Sequence, residues 1–189
     1  MNPEEQPSGS NLTRNQILAA LQVLSDDLGK QDIIGEICLF GGVVMVVAFN
    51  ARLSTKDVDA VFQPAQIIRG LAQQISTEQH LPASWLNDGV KGYLSARHDT
   101  TAEGLPQFPH LRLTMPVPEY LLAMKCLAAR IGTTVDEPTD VADIVFLIRH
   151  LKLQSAADVL RVVGQYYPAN QVPVKTQYLV EGLFEEGVL

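Results

Sequence analysis

The chain is poor in the residues that build crosslinks and metal cages. Its 189 residues include two cysteines, Cys38 and Cys126, each set in an apolar run with no Cys or His at ligand spacing. That speaks against a disulfide framework and a zinc site and leaves two buried, inert thiols as the expectation. The four histidines, at positions 80, 98, 110 and 150, form neither HxH nor HExxH. No apolar run approaches the roughly 18 uninterrupted residues that a membrane span needs, so no membrane partner is expected. Basic residues are also short. Fourteen Lys and Arg against 21 Asp and Glu give a net charge of −7, which argues against coating nucleic acid by neutralising many phosphates. The positive charge that exists is uneven, with Lys125, Arg130, Arg149, His150, Lys152 and Arg161 all in the C-terminal part. The opening MNPEEQPSGSNLTR is acidic and polar where a secretory leader carries a basic start and an apolar core, and the expected location is the cytoplasm.

A hydrophobic fraction of 47% with 19% charged residues is that of an ordinary globular chain, and the length suits one substantial core with a small helical extension. Residues 1–12 read as a disordered lead. From Leu12, apolar residues recur at helical spacing (Ile17, Leu18, Leu21, Leu24, Leu28) up to a stop at Gly29. IIGEICLF reads as a strand ending on Gly41 and Gly42, VVMVVAFNA as a buried helix, and DVDAVF as a second strand. In that strand Asp57, Asp59 and Val61 share one face, and Val58, Ala60 and Phe62 the other. Pro64 opens a helix to about Gln79, LPASWLNDGVKGYLS reads as a short helix with flanking turns, and LRLTMPV as a third strand. PEYLLAMKCLAARIG with a stop at Gly132, DVADIVFLIRHLKL, SAADVLRVVGQYY with its Ser155 cap, and residues 173–186 are helical, with TTVDEPTD as a polar turn among them. The expected fold class is α+β, a small mixed sheet covered by helices, with a core over 13–117 and a helical subdomain over 118–189.

The paired acids of DVDAVF raise a chemical question. Two carboxylates on one strand face raise each other's electrostatic cost unless a cation is supplied. Mg²⁺ suits them, since it takes one or two protein carboxylates and completes its shell with phosphate and water. A bare DxD, taken alone, reads more simply as a solvated strand face. The Gly41–Gly42 pair between a strand and a helix lets backbone N–H groups approach a phosphate, although a tight turn alone also uses such a pair. Taken together they describe a place where phosphate and metal meet. Lys125, on an otherwise apolar helix, needs a partner if buried, whether a carboxylate from the next helix or a phosphate, and otherwise must snorkel to solvent. Trp85 and Leu86 of WLND read as core, with Asp88 a further acid beside them.

GG, an apolar helix, Arg52 and STKDVDAVF together resemble the GG/GS…DxD signature of polymerase-β-like nucleotidyltransferases, and more closely the small bacterial proteins related to AbiEii-type toxins. WLND, PEYLLAMKCLAAR, DVADIVFLIRHL and YYP extend the resemblance over roughly residues 13–186. It implies a sheet of the nucleotidyltransferase type. Asp57 and Asp59 would ligate the Mg²⁺ that carries an NTP, and Gly41, Gly42, Arg52, Ser54 and Lys125 would bind the nucleotide. Asp140 and Asp143 would form a DxxD whose second acid faces the site, giving Asp57, Asp59, Lys125 and Asp143 the catalytic roles. The implied reaction moves an NMP to a hydroxyl on RNA, tRNA included, or on protein, in the toxin of a toxin–antitoxin pair with a separately encoded antitoxin. The chain departs from the pattern in three places. Gly42 stands where many relatives have Ser, LRLTMPV has Arg112 and Thr114 where a third carboxylate is found, and TTVDEPTD lacks a basic residue. The alternative these departures favour is a catalytically weakened nucleotide- or partner-binding protein on the same fold.

Overall fold

The computed structural model describes residues 11–129 and 139–187. The Gly132 stop, nearly all of the TTVDEPTD turn and all but the end of the N-terminal lead lie outside the described residues. The fold is α+β with a small mixed sheet, and the chain divides into two compact units. One holds the described residues through Gly89 together with Ala102–Thr114, and the other holds Val90–Thr101 together with those from Met115 onward.

In the first unit, β1 (Leu12–Thr13) pairs antiparallel with β3 (Ser54–Thr55). Leu12, expected in the lead, is therefore ordered, and it is fully buried. The reason is local: Thr13 caps α1 (Arg14–Lys30) through a capping box with Gln16, which fixes the chain entering the helix. Helix α1 runs one residue past Gly29, and Asp32 takes the reversing turn at φ 56°, a left-handed conformation that a short polar side chain tolerates. Strand β2 (Gly35–Phe40), helix α2 (Gly42–Val47), strand β4 (Val58–Gln63), helix α3 (Ala65–Glu78) and strand β7 (Leu111–Pro116) follow the expected order. Asp57, expected inside the second strand, is the residue just before β4. The expected short helix at WLND is instead strand β5 (Leu86–Asn87), followed by a 3₁₀ turn over Gly89–Tyr93. A partner for β4 outweighed the local pattern there, because β5 lies parallel to it with Asp59 opposite Asn87.

The strand order in this unit is β5-β4-β2-β7, with β2 antiparallel to β4 and parallel to β7. One sheet face carries Ile37, Leu39, Val58, Ala60, Leu111 and Leu113, all buried. Gly35, on the same face, lies against Leu28 of α1 and Ile68 of α3, so these two helices cover that side. The opposite face carries Glu36, Cys38, Asp59, Val61, Gln63, Arg112 and Thr114, none of them fully buried, together with the buried Phe40.

The second unit is mostly helical. Helix α4 (Pro118–Ala128) is buried on nearly all sides and packs against α5 (Thr139–His150), α6 (Ala156–Tyr166) and α7 (Val174–Glu185). The C-terminal carbonyls of α4 are satisfied by α7, with the Thr176 hydroxyl donating to Cys126 O at 3.0 Å and Lys175 Nζ to Ala129 O at 2.8 Å. Strand β6 (Thr100–Thr101) pairs with the end of β7. The segment before it belongs with the helices because tyrosines hold it. Ser95 N donates to Tyr120 Oη at 2.8 Å, Tyr167 Oη to Tyr93 O at 2.6 Å and Tyr166 Oη to Asp99 at 3.1 Å. The unit boundaries therefore differ from a single break after residue 117. Among the described residues no helix is long and apolar enough to cross a membrane.

Candidate functional site

The carboxylate pair lies at the start of β4, on the face that α1 and α3 leave uncovered. Burial along the strand alternates as its period of two requires, with Val58, Ala60 and Phe62 buried and Asp59 and Val61 half-buried. Asp57 continues the half-buried series. Its Oδ2 accepts a hydrogen bond from Asn87 Nδ2 at 3.0 Å, while Gly89 N–H donates to Asn87 Oδ1 at 2.9 Å. The backbone donor sets the orientation of the amide, leaving its NH₂ for Asp57. Burial raises the pKa of Asp57 above the ordinary carboxylate value of 3.8, and the Asn87 bond and nearby Lys56 only partly oppose it. A carboxylate held this way gains from a cation.

The glycine pair answers to two separate constraints. Gly41 has φ 66°, a conformation that a side chain resists, and a Cβ there would stand 2.9 Å from Asp59 Oδ2. The Asp59 carboxylate thus rests against the turn between β2 and α2. At Gly42 a Cβ would meet Thr55 Oγ1 at 2.5 Å and Arg52 Nη1 at 3.1 Å. The space that a serine side chain would need at position 42 is occupied by the hydroxyl of Thr55. Arg52 is brought to the same turn, whereas Ser54, next to Thr55, pairs with Thr13. Gly41, Gly42, Arg52, Asp57 and Asp59 are therefore gathered in the first unit, with Thr55 and Asn87 as two further members. Sequence reasoning missed both. Their signals are the pairings Leu12↔Thr55 and Asp59↔Asn87, which are non-local and leave no local pattern.

Lys125, Asp140 and Asp143 form a second cluster, in the helical unit. The Lys125 ammonium, 9% exposed, lies 2.5 Å from Asp143 Oδ2 and 3.8 Å from Asp140 Oδ1. Asp143 is 2% exposed and Asp140 34%. A carboxylate from the next helix, one of the partners expected for a buried lysine, is in place. Asp88 makes an ion pair with Arg69 at 2.5 Å, and Trp85 is core, its Nε1 donating to Ala72 O at 2.9 Å. On β7, where a third acid is absent, Arg112 pairs with Glu36 at 3.4 Å and Thr114 is hydrogen-bonded with the Cys38 thiol. Both cysteines are unlinked, and burial pushes Cys126 up to about 12, an inert thiol.

The hard-oxygen carboxylates of Asp59 on β4 and Asp57 just before it suit the one-or-two-carboxylate mode in which Mg²⁺ is held together with phosphate oxygens and water. A cage made wholly of protein is a different arrangement, and no group of three or more His, Cys, Asp or Glu is placed to hold a metal among the described residues. No family model, curated protein or solved structure matches the chain.

Proposed function

We propose that the first unit is a nucleotidyltransferase-type core whose Asp57 and Asp59 hold Mg²⁺ with the triphosphate of an NTP, and that the protein transfers the NMP to a hydroxyl on RNA or protein. The observation that carries this reading is the contact of the Asp59 carboxylate with the Gly41 turn, beside a second, burial-stressed carboxylate just before the same strand. A phosphate drawn to that turn would meet Asp59, with Asp57 two residues before it on the chain. Bound there, Mg²⁺ would neutralise and polarise the phosphoryl group. The chain's own groups do the rest. The Gly41–Gly42 backbone comes close to the phosphates, the Arg52 guanidinium offsets their charge, and Asn87 keeps Asp57 aimed. The acceptor oxygen bonds to the α-phosphorus, the bond from that phosphorus to the oxygen bridging to the β-phosphate breaks, pyrophosphate leaves and the hydroxyl proton passes to water. By analogy with the resemblance, the cellular role is that of a toxin neutralised by an antitoxin, in the cytoplasm.

The second reading is a weakened nucleotide- or partner-binding protein. It is favoured by the engagement of Lys125 with Asp143 and by Arg112 and Thr114 at the place of a third acid. Incubation with each labelled NTP, Mg²⁺ and total RNA or lysate separates the two. Label transferred to a macromolecule, and lost in Asp59→Asn, supports the enzyme. NTP binding without transfer supports the weakened protein.

A further inference from the structure

The uncovered sheet face of the first unit is arranged in cross-strand rows. Asp59 stands opposite Phe40; the next row is Val61, Cys38 and Thr114 across β4, β2 and β7, and the row beyond is Gln63, Glu36 and Arg112. The last two rows line a cavity of about 300 Å³. With strands ~4.8 Å apart, its three-strand floor is about 10 Å wide, and Gln63 lies about 13 Å along β4 from Asp59. The floor side chains are small, and the Cys38 thiol and Thr114 hydroxyl are hydrogen-bonded to each other. A flat ring can lie on them with no unmet polar group beneath it. The outer row presents an amide, a carboxylate and a guanidinium. Gln63 is exposed, and the Glu36–Arg112 pair is 63% and 69% exposed at 3.4 Å, a loose surface pair that exchanges partners at little cost.

Resting on the reading above, we propose that this groove holds the base of a purine nucleotide whose phosphates lie at Asp57 and Asp59. The row order acid, small, polar matches the order phosphate, base plane, base edge. The outer row carries the groups that read purines. An amide pairs with adenine N6 and N7, a guanidinium with guanine O6 and N7, and a carboxylate accepts from an exocyclic amino group. Pyrimidines present a shorter edge on the same phosphate anchor and reach this row less well.

The test is titration of the full chain in Mg²⁺ with ATP, GTP, CTP, UTP and inorganic tripolyphosphate, the last carrying the anchor without a base. ATP or GTP is expected to bind about tenfold more tightly than CTP, UTP and tripolyphosphate. Gln63→Ala should remove a preference for ATP and Arg112→Ala one for GTP, both leaving tripolyphosphate binding unchanged. Equal affinity for all four nucleotides, or a purine preference that survives both substitutions, overturns the base site while leaving the phosphate site standing. If none of the five ligands binds, the phosphate site fails and the base site falls with it.

Discussion

The two units treat buried charge in opposite ways. In the helical unit, Lys125 and Asp143 are both more than nine-tenths buried and lie 2.5 Å apart, so each supplies what the other's burial demands. In the sheet unit, Asp57 is half-buried with an amide as its hydrogen-bond partner and a raised pKa, and Asp59 is set against a glycine turn. The helical pair is closed within itself, whereas in the sheet unit burial makes the charge of Asp57 costly. The difference sets a compensated charge pair apart from a carboxylate whose charge burial makes costly, and it gives Lys125 a partner within its own unit. Of the two partners expected for Lys125, a carboxylate from the next helix or a phosphate, the first is seen, tying α4 to α5.

The largest effect tests that tie. Lys125→Met leaves Asp143 buried without its cation and should cost about 3–5 kcal/mol in urea unfolding. The double variant Lys125→Met/Asp143→Leu should recover most of the loss, because replacing both members of a buried pair by apolar groups is often neutral. If the single variant unfolds like the parent, the pair is not closed and the contrast between the units disappears.

Next in size is the opposite outcome in the sheet unit. Asp57→Asn and Asp59→Asn keep the side-chain shape and remove the charge. Both should stay folded while nucleotidyl transfer falls by about 100-fold or more, on the order of what one preorganised electrostatic contact contributes. Their circular dichroism and melting should match or exceed the parent's. Wild-type transfer in both variants would make the pair a solvated strand face.

These two outcomes also mark what the sequence could tell. The strand carrying Asp59, the glycine turn, the buried helix after it and the helical C-terminal part were legible because each is written in local periodicity and turn chemistry. Asn87, Thr55 and β5 were not. Asn87 and β5 reach Asp59, and Thr55 reaches Leu12, through pairings between residues about 30 and about 40 apart, and WLND alone reads as an apolar turn with a stray acid. The Lys125–Asp143 tie was half legible: an apolar helix face with one lysine asks for a partner, but spacing does not choose between an anion on the next helix and one on a ligand.

Gly42 offers a smaller, sharper test of the local packing. A serine there must displace Thr55, since its Cβ would lie 2.5 Å from the threonine hydroxyl. Gly42→Ser should therefore cost about 1–3 kcal/mol, as overpacking of a close contact does, and Gly42→Ser/Thr55→Ala should restore stability. Additive losses in the double variant would show that Thr55 does not fill the space at Gly42.

The smallest effects are in the pH dependence, where the two units diverge in range but share a sign. Burial raises Asp57 above its ordinary 3.8. The fold thus favours its neutral form, and its contribution is fully present below pH 3.8 and is lost as pH rises through the elevated value. Tyr166, raised to about 12 chiefly by burial and then by its bond to Asp99, keeps its contribution below about pH 10 and loses it as pH climbs towards 12. Asp57→Asn removes the acid-side loss, so that variant should be slightly more stable than the parent at pH 7 and indistinguishable from it near pH 3. Mg²⁺ should raise the parent's melting temperature at pH 7 and leave that of Asp57→Asn nearly unchanged, because the ion stabilises only the form that binds it. Tyr166→Phe should flatten the decline between pH 10 and 12 and leave the acid side untouched. If Asp57→Asn were less stable than the parent at pH 7, the burial of that carboxylate would not be a cost to the fold, and the case for a cation at Asp57 would rest on Asp59 alone.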